Sequence, residues 1–274
     1  MAGSPGTHSI TPASEGFGPK AFDYLFTQLT FSSAARRWGE AAFDEYEGQT
    51  SHTLTSHVDM LVEAADITSA SRVLELGSGT GGFGCYVAGR TGCNLCGVDW
   101  SQVGVRLANK RASARGLASK VRFLLADFRN LTLPNNSYDV VFAIDALPFD
   151  TDLKQLSLNI ARVLREGGRF VTLMTVRTNT TIDTAEAIPG LSTVADVTAA
   201  FACAGLHGGV FADLTPSYIV LATRMLRLWK EDLLNLQREL GTPLFEARIS
   251  EDNRLLSLLH SEALRRVLFI THMD

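Results

Sequence analysis

Acidic residues and glycines stand close together in one short stretch of the chain, VLELGSGTGG at residues 73–82. Its glycines satisfy the G-x-G-x-x-G fingerprint of a dinucleotide site, and the same stretch also satisfies a second pattern, E-x-G-x-G-x-G. The residues that fit the second pattern are Glu75, Gly77, Gly79 and Gly81. A glycine-rich turn between a strand and a helix lets the backbone approach a ligand closely. The turn therefore predicts a nucleotide-type ligand but does not by itself choose which one.

Three acidic positions decide between two candidate ligands, NAD and S-adenosylmethionine. Glu75 lies inside a predicted strand, where a buried carboxylate is costly without a partner. It would repel a pyrophosphate but would pair with the ammonium group of a methionine moiety. Asp99 ends the next predicted strand and can accept both hydroxyls of a ribose, which either ligand carries. Asp127 and Phe128 end the third strand and suit an adenine amino group with a ring beside its face, so the set favours S-adenosylmethionine.

The elements that position these residues alternate between strand and helix. Short, nearly all-apolar runs are predicted as strands, and stretches with helical spacing of apolar residues separate them. The predicted strands are RVLELG, LCGVDW, VRFLLAD, YDVVFAID, RFVTLM, HGGVFADL and RRVLFITHMD. Alternation of this kind indicates an α/β fold with a parallel sheet that is covered on both faces. Further helices are predicted over residues 20–47, 51–65, 216–240 and 251–263.

Four segments resemble, in order, the motif series of class I S-adenosylmethionine-dependent methyltransferases: VLELGSGTGG, GVDWS, LLADFRNLTLPNNSYDVVFAIDAL and NIARVLREGGRFVTL. The resemblance implies S-adenosylmethionine as the cofactor and S-adenosylhomocysteine as its product. It also implies that the methionine part of the donor is lined by Glu75, Gly77, Ser78, Gly79 and Gly81. The same likeness assigns the ribose and adenine edge to Asp99 and Trp100, the adenine to Asp127 and Phe128, and the surroundings of the sulfonium to Asp145 and Ala146.

A weaker resemblance extends the likeness to about residues 20–274. The segment RRWGEAAFDEYEG is similar to the W-G-x-x-x-F-x-x-Y segment of small-molecule methyltransferases that act on sugars, sterols, prenyl chains and other natural products. The implied fold is a Rossmann-like, seven-stranded α/β sandwich whose last strand is antiparallel. The expected organisation is a flexible lead-in over 1–19, an N-terminal helical lid over 20–65, a donor-binding core over 66–215, a helical lid insertion over 216–263 and a final core strand over 264–274.

The loop after the fourth strand bears on the acceptor atom. Many small-molecule O-methyltransferases of this type carry a His in that loop and sometimes an acid at the end of strand five. This sequence has Pro148 and Phe149 in the loop and Met174 at the predicted end of the strand. The departure favours transfer to carbon, or to nitrogen, of a small and largely apolar biosynthetic metabolite. The alternative is O-methylation, with a base from the helical segments. Two other classes are also kept: a nucleic-acid or protein methyltransferase, and a donor-binding protein without activity.

Aromatic side chains dominate the predicted acceptor pocket, because ring faces would stabilise positive charge that develops on the acceptor. The predicted pocket residues are Trp38, Phe43, Tyr46, Phe149, Met174 and Tyr218. Trp38, Phe43 and Tyr46 have a second interpretation, as core residues that anchor the N-terminal helix. The predicted catalytic residues are Asp145, Phe149 and Asp213, with one of the acids removing a proton after methyl transfer. His52 and His57 are predicted to be ordinary, because residues five apart do not share a helix face well, and a place near the pocket is left open for one of them.

Composition sets the outer limits. The chain of 274 residues has 46% hydrophobic residues, a net charge of −4 and a pI of about 5.9, which argues against a bulk electrostatic grip on nucleic acid. No apolar run reaches the length of a membrane span, and the first residues lack the pattern of a secretory signal. Cys93 and Cys96 are predicted to be buried, reduced thiols, as suits a cytoplasmic protein. The expected partner is a small-molecule acceptor, without nucleic acid, membrane or metal, and a homo-oligomer is left open.

Overall fold

A central sheet organises the protein, whose computed structural model describes residues 18–147, 152–178 and 191–274. The strands in these residues are β1 (Arg72–Leu76), β2 (Asn94–Asp99), β3 (Val121–Leu125), β4 (Tyr138–Ile144), β5 (Leu164–Arg177), β6 (Leu206–Asp213) and β7 (Leu264–Met273). They form a seven-stranded sheet in the order β3-β2-β1-β4-β5-β7-β6. The pairs from β3 to β5 are parallel, and β7 is antiparallel to both of its neighbours. The predicted fold class, with its antiparallel last strand, is confirmed.

Helices cover both faces of this sheet. The described helices are α1 (Pro19–Phe31), α2 (Ser33–Ala42), α3 (Thr55–Ala65), α4 (Gly82–Thr91), α5 (Gln102–Ala114), α6 (Leu153–Val163), α7 (Val194–Ala202), α8 (Thr215–Glu231), α9 (Leu233–Leu240) and α10 (Thr242–His260). One face of the sheet packs against α6 and α7, and the other packs against α3, α4 and α5. Because neither face meets water, the central strands are buried along nearly their whole length, which explains their continuous apolar sequences.

The remaining helices, α1, α2, α8, α9 and α10, form what we call the outer helical layer. They share an apolar cluster of their own, whose buried members are Ala34, Ala35, Trp38, Ala42, Phe43, Leu221, Met225, Trp229, Leu236, Leu240 and Phe245. The layer is also joined by polar contacts: the carboxylate of Glu239 accepts hydrogen bonds from the Ser32 hydroxyl at 2.9 Å and from the Ala34 N–H at 3.0 Å. Two segments far apart in sequence therefore build one layer.

Several predicted element boundaries were wrong. The helix predicted over 20–47 is two helices, because the Ser32 hydroxyl accepts the N–H of Ala35 at 2.9 Å and so starts a new helix. The long helix predicted over 216–240 breaks at Asp232, whose backbone is not helical. The helix predicted from residue 51 begins at Thr55, and the one predicted from 251 begins at Thr242. Strand β5 continues past residue 174 because the antiparallel β7 pairs with it as far as Arg177.

The cysteines are all free, and Cys85, Cys93 and Cys96 are buried whereas Cys203 is exposed. Within the described ranges, no helix combines the length and the apolar character that crossing a membrane requires. The predicted lead-in over 1–19 lies almost entirely outside the described residues, as does the loop segment 148–151 with Pro148 and Phe149.

Candidate functional site

The glycine turn between β1 and α4 lies at the carboxyl end of the sheet and brings bare backbone to that edge. The N–H groups of Gly77 and Ser78 both donate to the carbonyl of Val98, at 2.9 and 3.0 Å. Gly77 has φ +68, and a Cβ there would lie 2.6 Å from the Cβ of Ala146. Only glycine fits such a backbone conformation at so close a contact. The turn therefore requires glycine at this position, where Ala146 packs directly against the main chain.

Glu75 is the acid that the turn encloses. Its residue is 3% exposed, and its Oε2 has no hydrogen-bond partner among the described residues. Burial raises the pKa of Glu75 well above its usual value, and the neighbouring charge of Asp99 raises it further. A buried carboxyl oxygen without a partner is costly, so this position suits a ligand that supplies a cation or a strong donor. The amino group of a methionine moiety meets that requirement.

Asp99, at the end of β2, holds the turn in shape. Its two carboxylate oxygens accept the backbone N–H groups of Gly79 and Ser101, each at 2.8 Å. Burial raises the pKa of Asp99, and these two hydrogen bonds partly oppose that rise. Each carboxylate oxygen can accept more than one hydrogen bond. Asp99 can therefore shape the turn and still accept hydroxyl groups from a ligand; its predicted role toward a ribose stays a prediction.

The predicted adenine residues lie close by, with their polar groups engaged. The carboxylate of Asp127 binds the guanidinium of Arg129, which lowers the pKa of Asp127. The Arg129 guanidinium carbon lies 5.0 Å from the ring centre of Trp100, which also contacts Phe22 of α1. Phe128 is buried at the base of the glycine turn. These residues frame one side of the turn, and their contact with an adenine stays a prediction.

A buried polar cluster, which we call the Arg266 group, lies beside the turn on the other side. It consists of Asp145 after β4, Arg266 in β7, Thr53 before α3 and Tyr218 in α8. The fully buried Arg266 guanidinium donates to both carboxylate oxygens of Asp145, and Thr53 donates to Asp145 at 3.1 Å. The guanidinium carbon of Arg266 lies 5.0 Å from the ring centre of Tyr218. Asp145 is thus charge-paired rather than free to serve as an unshared anion.

The sequence reasoning missed the partners of Asp145. Nothing in the sequence pattern distinguished Arg266 from its neighbour Arg265, and Thr53 carried no motif. His57 was predicted to be ordinary, but it is 3% exposed in the first turn of α3. The charges of Arg266 and Asp145 both act on its ring. His52 is also buried, with its Nε2 3.0 Å from a carboxylate oxygen of the buried Asp252 in α10.

The other predicted site residues are more scattered. Trp38 and Phe43 lie within the apolar cluster of the outer helical layer, with the Trp38 ring 4.6 Å from the Trp229 ring and Tyr46 stacked on Phe43. Met174 is buried in the core beneath α6 and α7. Tyr218 belongs to the Arg266 group.

Asp213, the other predicted base, is not part of that group. It ends β6, where its carboxylate accepts the Thr215 hydroxyl at 2.6 Å and binds the guanidinium of Arg265. Its side chain is 35% exposed. Of the predicted catalytic residues, Asp145 alone is seen in the Arg266 group; Phe149 lies outside the described residues, and none of the three assignments is tested.

Known proteins resemble this chain mainly over its donor-binding part. Residues 73–168 match a family model described as a methyltransferase domain. The sterol 24-C-methyltransferase ERG6A of Gibberella zeae is 29% identical over 158 residues, which are 52% of this chain and 42% of that protein. The 27-O-demethylrifamycin SV methyltransferase of Amycolatopsis mediterranei is 32% identical over 58% of this chain and 57% of that protein. The chain thus spans only about half of the length of the curated relatives it matches.

A solved structure extends the likeness to the whole fold. The crystal structure of the [4+2]-cyclase SpnF superimposes with a TM-score of 0.78 at 19% identity and covers 93% of this chain and 94% of that one. At such low identity the likeness concerns the fold alone, and a cyclase with this fold illustrates that one fold serves several reactions.

The matched domain includes the glycine turn, and the sheet has the seven strands and the antiparallel last strand that were expected. Residues 73–168 carry a methyltransferase domain, and the matched relatives support the predicted family, the class I S-adenosylmethionine-dependent methyltransferases that act on small molecules, together with its cofactor.

Proposed function

We propose that the protein transfers a methyl group from S-adenosylmethionine to a small, largely apolar metabolite. The observation that carries the proposal is the buried, unpartnered carboxyl oxygen of Glu75 beside a glycine turn that exposes its backbone. The residues present suit this donor. Glu75 would bind its amino group and the glycine turn its methionine chain. Asp99 would bind its ribose, and Asp127 with Phe128 its adenine. The donor supplies a methyl group already activated by a positively charged sulfur, so the protein has chiefly to align the acceptor and exclude water.

The acceptor atom is carbon in our leading proposal, with nitrogen next and oxygen as the alternative. The relatives named above support both chemistries, since one name states C-methylation and the other concerns an O-demethylated rifamycin. The apolar cluster of the outer helical layer supports an apolar acceptor. The same relatives and the apolar acceptor support our proposal that the protein acts in secondary-metabolite biosynthesis. Its three buried free thiols support the cytoplasm as its compartment.

The domain organisation is part of the proposal. We propose that residues 20–65 and 216–263 act as a lid over a donor-binding core of 66–215, which the strand at 264–274 completes. Contacts between the two lid segments support this, because the Trp38 ring packs against the Trp229 ring at a tilt and the Ser32 hydroxyl donates to Glu239. A lid is ordered when its ligand binds. Addition of S-adenosylhomocysteine is expected to slow hydrogen exchange in α1, α2, α8 and α10; protection limited to residues 73–150 would show that these helices are only packing elements.

Two measurements test the function in sequence. Calorimetric titration with S-adenosylmethionine, S-adenosylhomocysteine and NAD should give binding of the first two and none of NAD. Incubation with methyl-labelled donor and a panel of sterols, prenyl diphosphates, macrolactams and aromatic amines should then transfer label to one class. Tight NAD binding would refute the cofactor, whereas donor binding without transfer to any class would favour the rival interpretation as a donor-binding protein without methyltransferase activity.

A predicted aromatic residue gives a narrower test. Phe149→Ala is expected to lower kcat more than it lowers donor affinity, and Phe149→Tyr should be milder, because a ring face would stabilise charge on the acceptor. A methyl ether as sole product would mean that the acceptor atom is oxygen.

A further inference from the structure

His57 lies next to the Arg266 group. It stands in the first turn of α3, four residues after Thr53, whose hydroxyl donates to Asp145. The last turn of α3 is anchored to the first half of β5, because the guanidinium of Arg169 in that strand donates to the carbonyl of Ala65 at 2.8 Å. The first turn of α3 therefore lies toward the carboxyl ends of β4 and β5, which is the side of the sheet that carries the glycine turn.

The hydrogen bonds of His57 fix which ring nitrogen carries a proton. Its Nε2 lies 2.9 Å from the hydroxyl of Ser217, at the start of α8. That hydroxyl donates its own proton to the carbonyl of Leu214, also at 2.9 Å. With its proton engaged there, Ser217 accepts from His57, and this arrangement assigns the hydrogen of the neutral ring to Nε2 and the lone pair to Nδ1.

The lone pair on Nδ1 has no partner. Although His57 is 3% exposed, no described residue in the ranges 18–147, 152–178 and 191–274 donates a hydrogen bond to this atom. An acceptor left unsatisfied inside a protein costs about 1–3 kcal/mol. Such an atom suits a ligand group that carries a hydrogen.

The charges around the ring keep it neutral in the free protein. Burial and the positive charge of Arg266 lower the pKa of His57 to about 4, and the negative charge of Asp145 opposes them in part. Arg266 faces the ring from β7, Asp145 faces it from the end of β4, and Ser217 faces it from α8. At neutral pH the Nδ1 lone pair is therefore available to accept a proton.

We propose that His57 Nδ1 accepts the proton that the acceptor loses during methyl transfer, an inference that rests on the proposed function. The acceptor atom forms its bond to the methyl carbon as the carbon–sulfur bond breaks, and the electron pair of that bond stays on sulfur. The acceptor then gives one proton to Nδ1 and keeps the electrons of the broken bond to hydrogen. The imidazolium later returns the proton to water.

Charge balance makes a weakly basic His sufficient. The positive charge on the donor sulfur disappears when the methyl group leaves, and a positive charge appears on His57 when the proton arrives. The total charge of the site is unchanged by the two events. The scheme is the same for a carbon, nitrogen or oxygen acceptor, provided that the attacked atom, or the carbon beside it, loses a hydrogen.

The location of Nδ1 can be tested before any acceptor is known. Ring-nitrogen NMR signals of His57, assigned with the His57→Gln variant, should show an unprotonated Nδ1 in the free protein. Replacing bound S-adenosylhomocysteine by S-adenosylmethionine adds a positive charge at the sulfur, so the His57 signals should shift. The signals of the exposed His207 and His260 serve as controls and should not shift.

The outcomes of this test separate the two proposals. If neither nucleoside binds by calorimetry, the proposed function fails, and this inference fails with it. If both bind and the His57 signals are identical in the two complexes, Nδ1 does not face the sulfur and this inference alone is wrong. A proton on Nδ1 in the free protein would also overturn it.

Kinetics with the acceptor found in the panel then distinguishes proton transfer from positioning. His57→Gln should lower kcat by about 10²- to 10⁴-fold, the usual contribution of a base, while the KM for the donor stays the same. His57→Asn offers an oxygen near the place of Nδ1 that can accept a hydrogen bond but not a proton, so it should restore the KM for the acceptor without restoring kcat. Recovery of kcat in His57→Asn would show that His57 only positions the acceptor.

Discussion

The glycine turn and the Arg266 group lie at the same edge of the sheet but are built in different ways. In the turn, Asp99 accepts from Gly79, 20 residues away, and from Ser101, two residues away. In the Arg266 group, Asp145 binds Thr53 and Arg266, which are 92 and 121 residues away. Nearby, His57 binds Ser217 across 160 residues. The donor side is therefore local backbone, whereas the other side is assembled from distant side chains.

The two regions also differ in how their acids are compensated. Glu75 is buried and its Oε2 has no hydrogen-bond partner in the part of the chain that the structure describes, whereas Asp145 is paired with a guanidinium. A buried carboxyl without a partner favours a ligand that completes it, and a paired one favours a stable folded arrangement. The comparison teaches that stability and ligand affinity should respond to different residues at this edge of the sheet.

The largest expected effect is on stability, from Arg266→Met. The Asp145 side chain is 26% exposed, so removing its fully buried partner leaves a partly hydrated charge, and the cost should lie at or below about 3–5 kcal/mol, the value for a fully buried pair. Denaturant unfolding measures the change. Arg265→Met is the matched control, because Arg265 is 52% exposed and pairs with Asp213 at the surface, so it should cost less than about 1 kcal/mol. Equal losses in the two variants would contradict the distinction.

Donor affinity should respond next, to Asp99→Ala. The loss of charged hydrogen bonds is expected to weaken S-adenosylmethionine binding by about 1.5–3 kcal/mol, measured by calorimetry. Gly79→Val should weaken binding more, because its side chain would enter donor space and a Cβ there already lies 3.3 Å from the Phe26 ring. Asp127→Ala is a comparison variant with a smaller expected loss, since Arg129 already occupies that carboxylate. Unchanged affinity in folded Asp99→Ala would refute the assignment.

Glu75→Gln should separate the two properties by changing them in opposite directions. Because burial raises the pKa of Glu75, the free folded protein holds a proton more tightly than the unfolded chain does. The contribution of Glu75 to the free energy of unfolding is therefore fully present below the ordinary glutamate pKa, and it is lost as the pH rises toward the raised pKa.

The Gln variant has no carboxyl to ionise, so at neutral pH it should be more stable than the wild type by on the order of 1 kcal/mol. It should also bind S-adenosylmethionine more weakly, because a neutral amide cannot pair with an ammonium. Unfolding curves across pH and a calorimetric titration measure both changes. A variant that is less stable at neutral pH, or that binds the donor as well as the wild type does, would contradict this account of Glu75.

The smallest effect should come from Ser32→Ala in the outer helical layer. Its hydroxyl caps α2 and donates to Glu239, and loss of such a cap costs about 1 kcal/mol. Ser33→Ala is the matched control, because the Ser33 hydroxyl also donates to Glu239, at 3.0 Å, but caps no helix N–H. Unfolding measurements should detect the change in Ser32→Ala, while calorimetry should find donor affinity the same. A large drop in donor affinity would mean that the layer and the turn are energetically coupled.

Local signals explain why the donor side could be predicted. A glycine with a positive φ, an acid at the end of a strand and an all-apolar strand each leave a mark within a few residues. These signals predicted the sheet and the position of the turn, whereas the antiparallel last strand was implied by the resemblance to the methyltransferase family. Helix ends were less predictable, because a cap such as Ser32 competes with an apolar pattern that continues on both sides of it.

The partners of Asp145 were decided by the tertiary structure alone. Two adjacent arginines, Arg265 and Arg266, stand in β7, and successive side chains in a strand point to opposite faces. Which of them is buried depends on the register in which β7 pairs with β5, where Thr175 lies opposite Arg266. A shift of one residue would exchange the two arginines, and no motif within β7 records which alternative is adopted. The sequence by itself determined the turn that suits the donor; the pairing of distant strands determined which guanidinium meets Asp145.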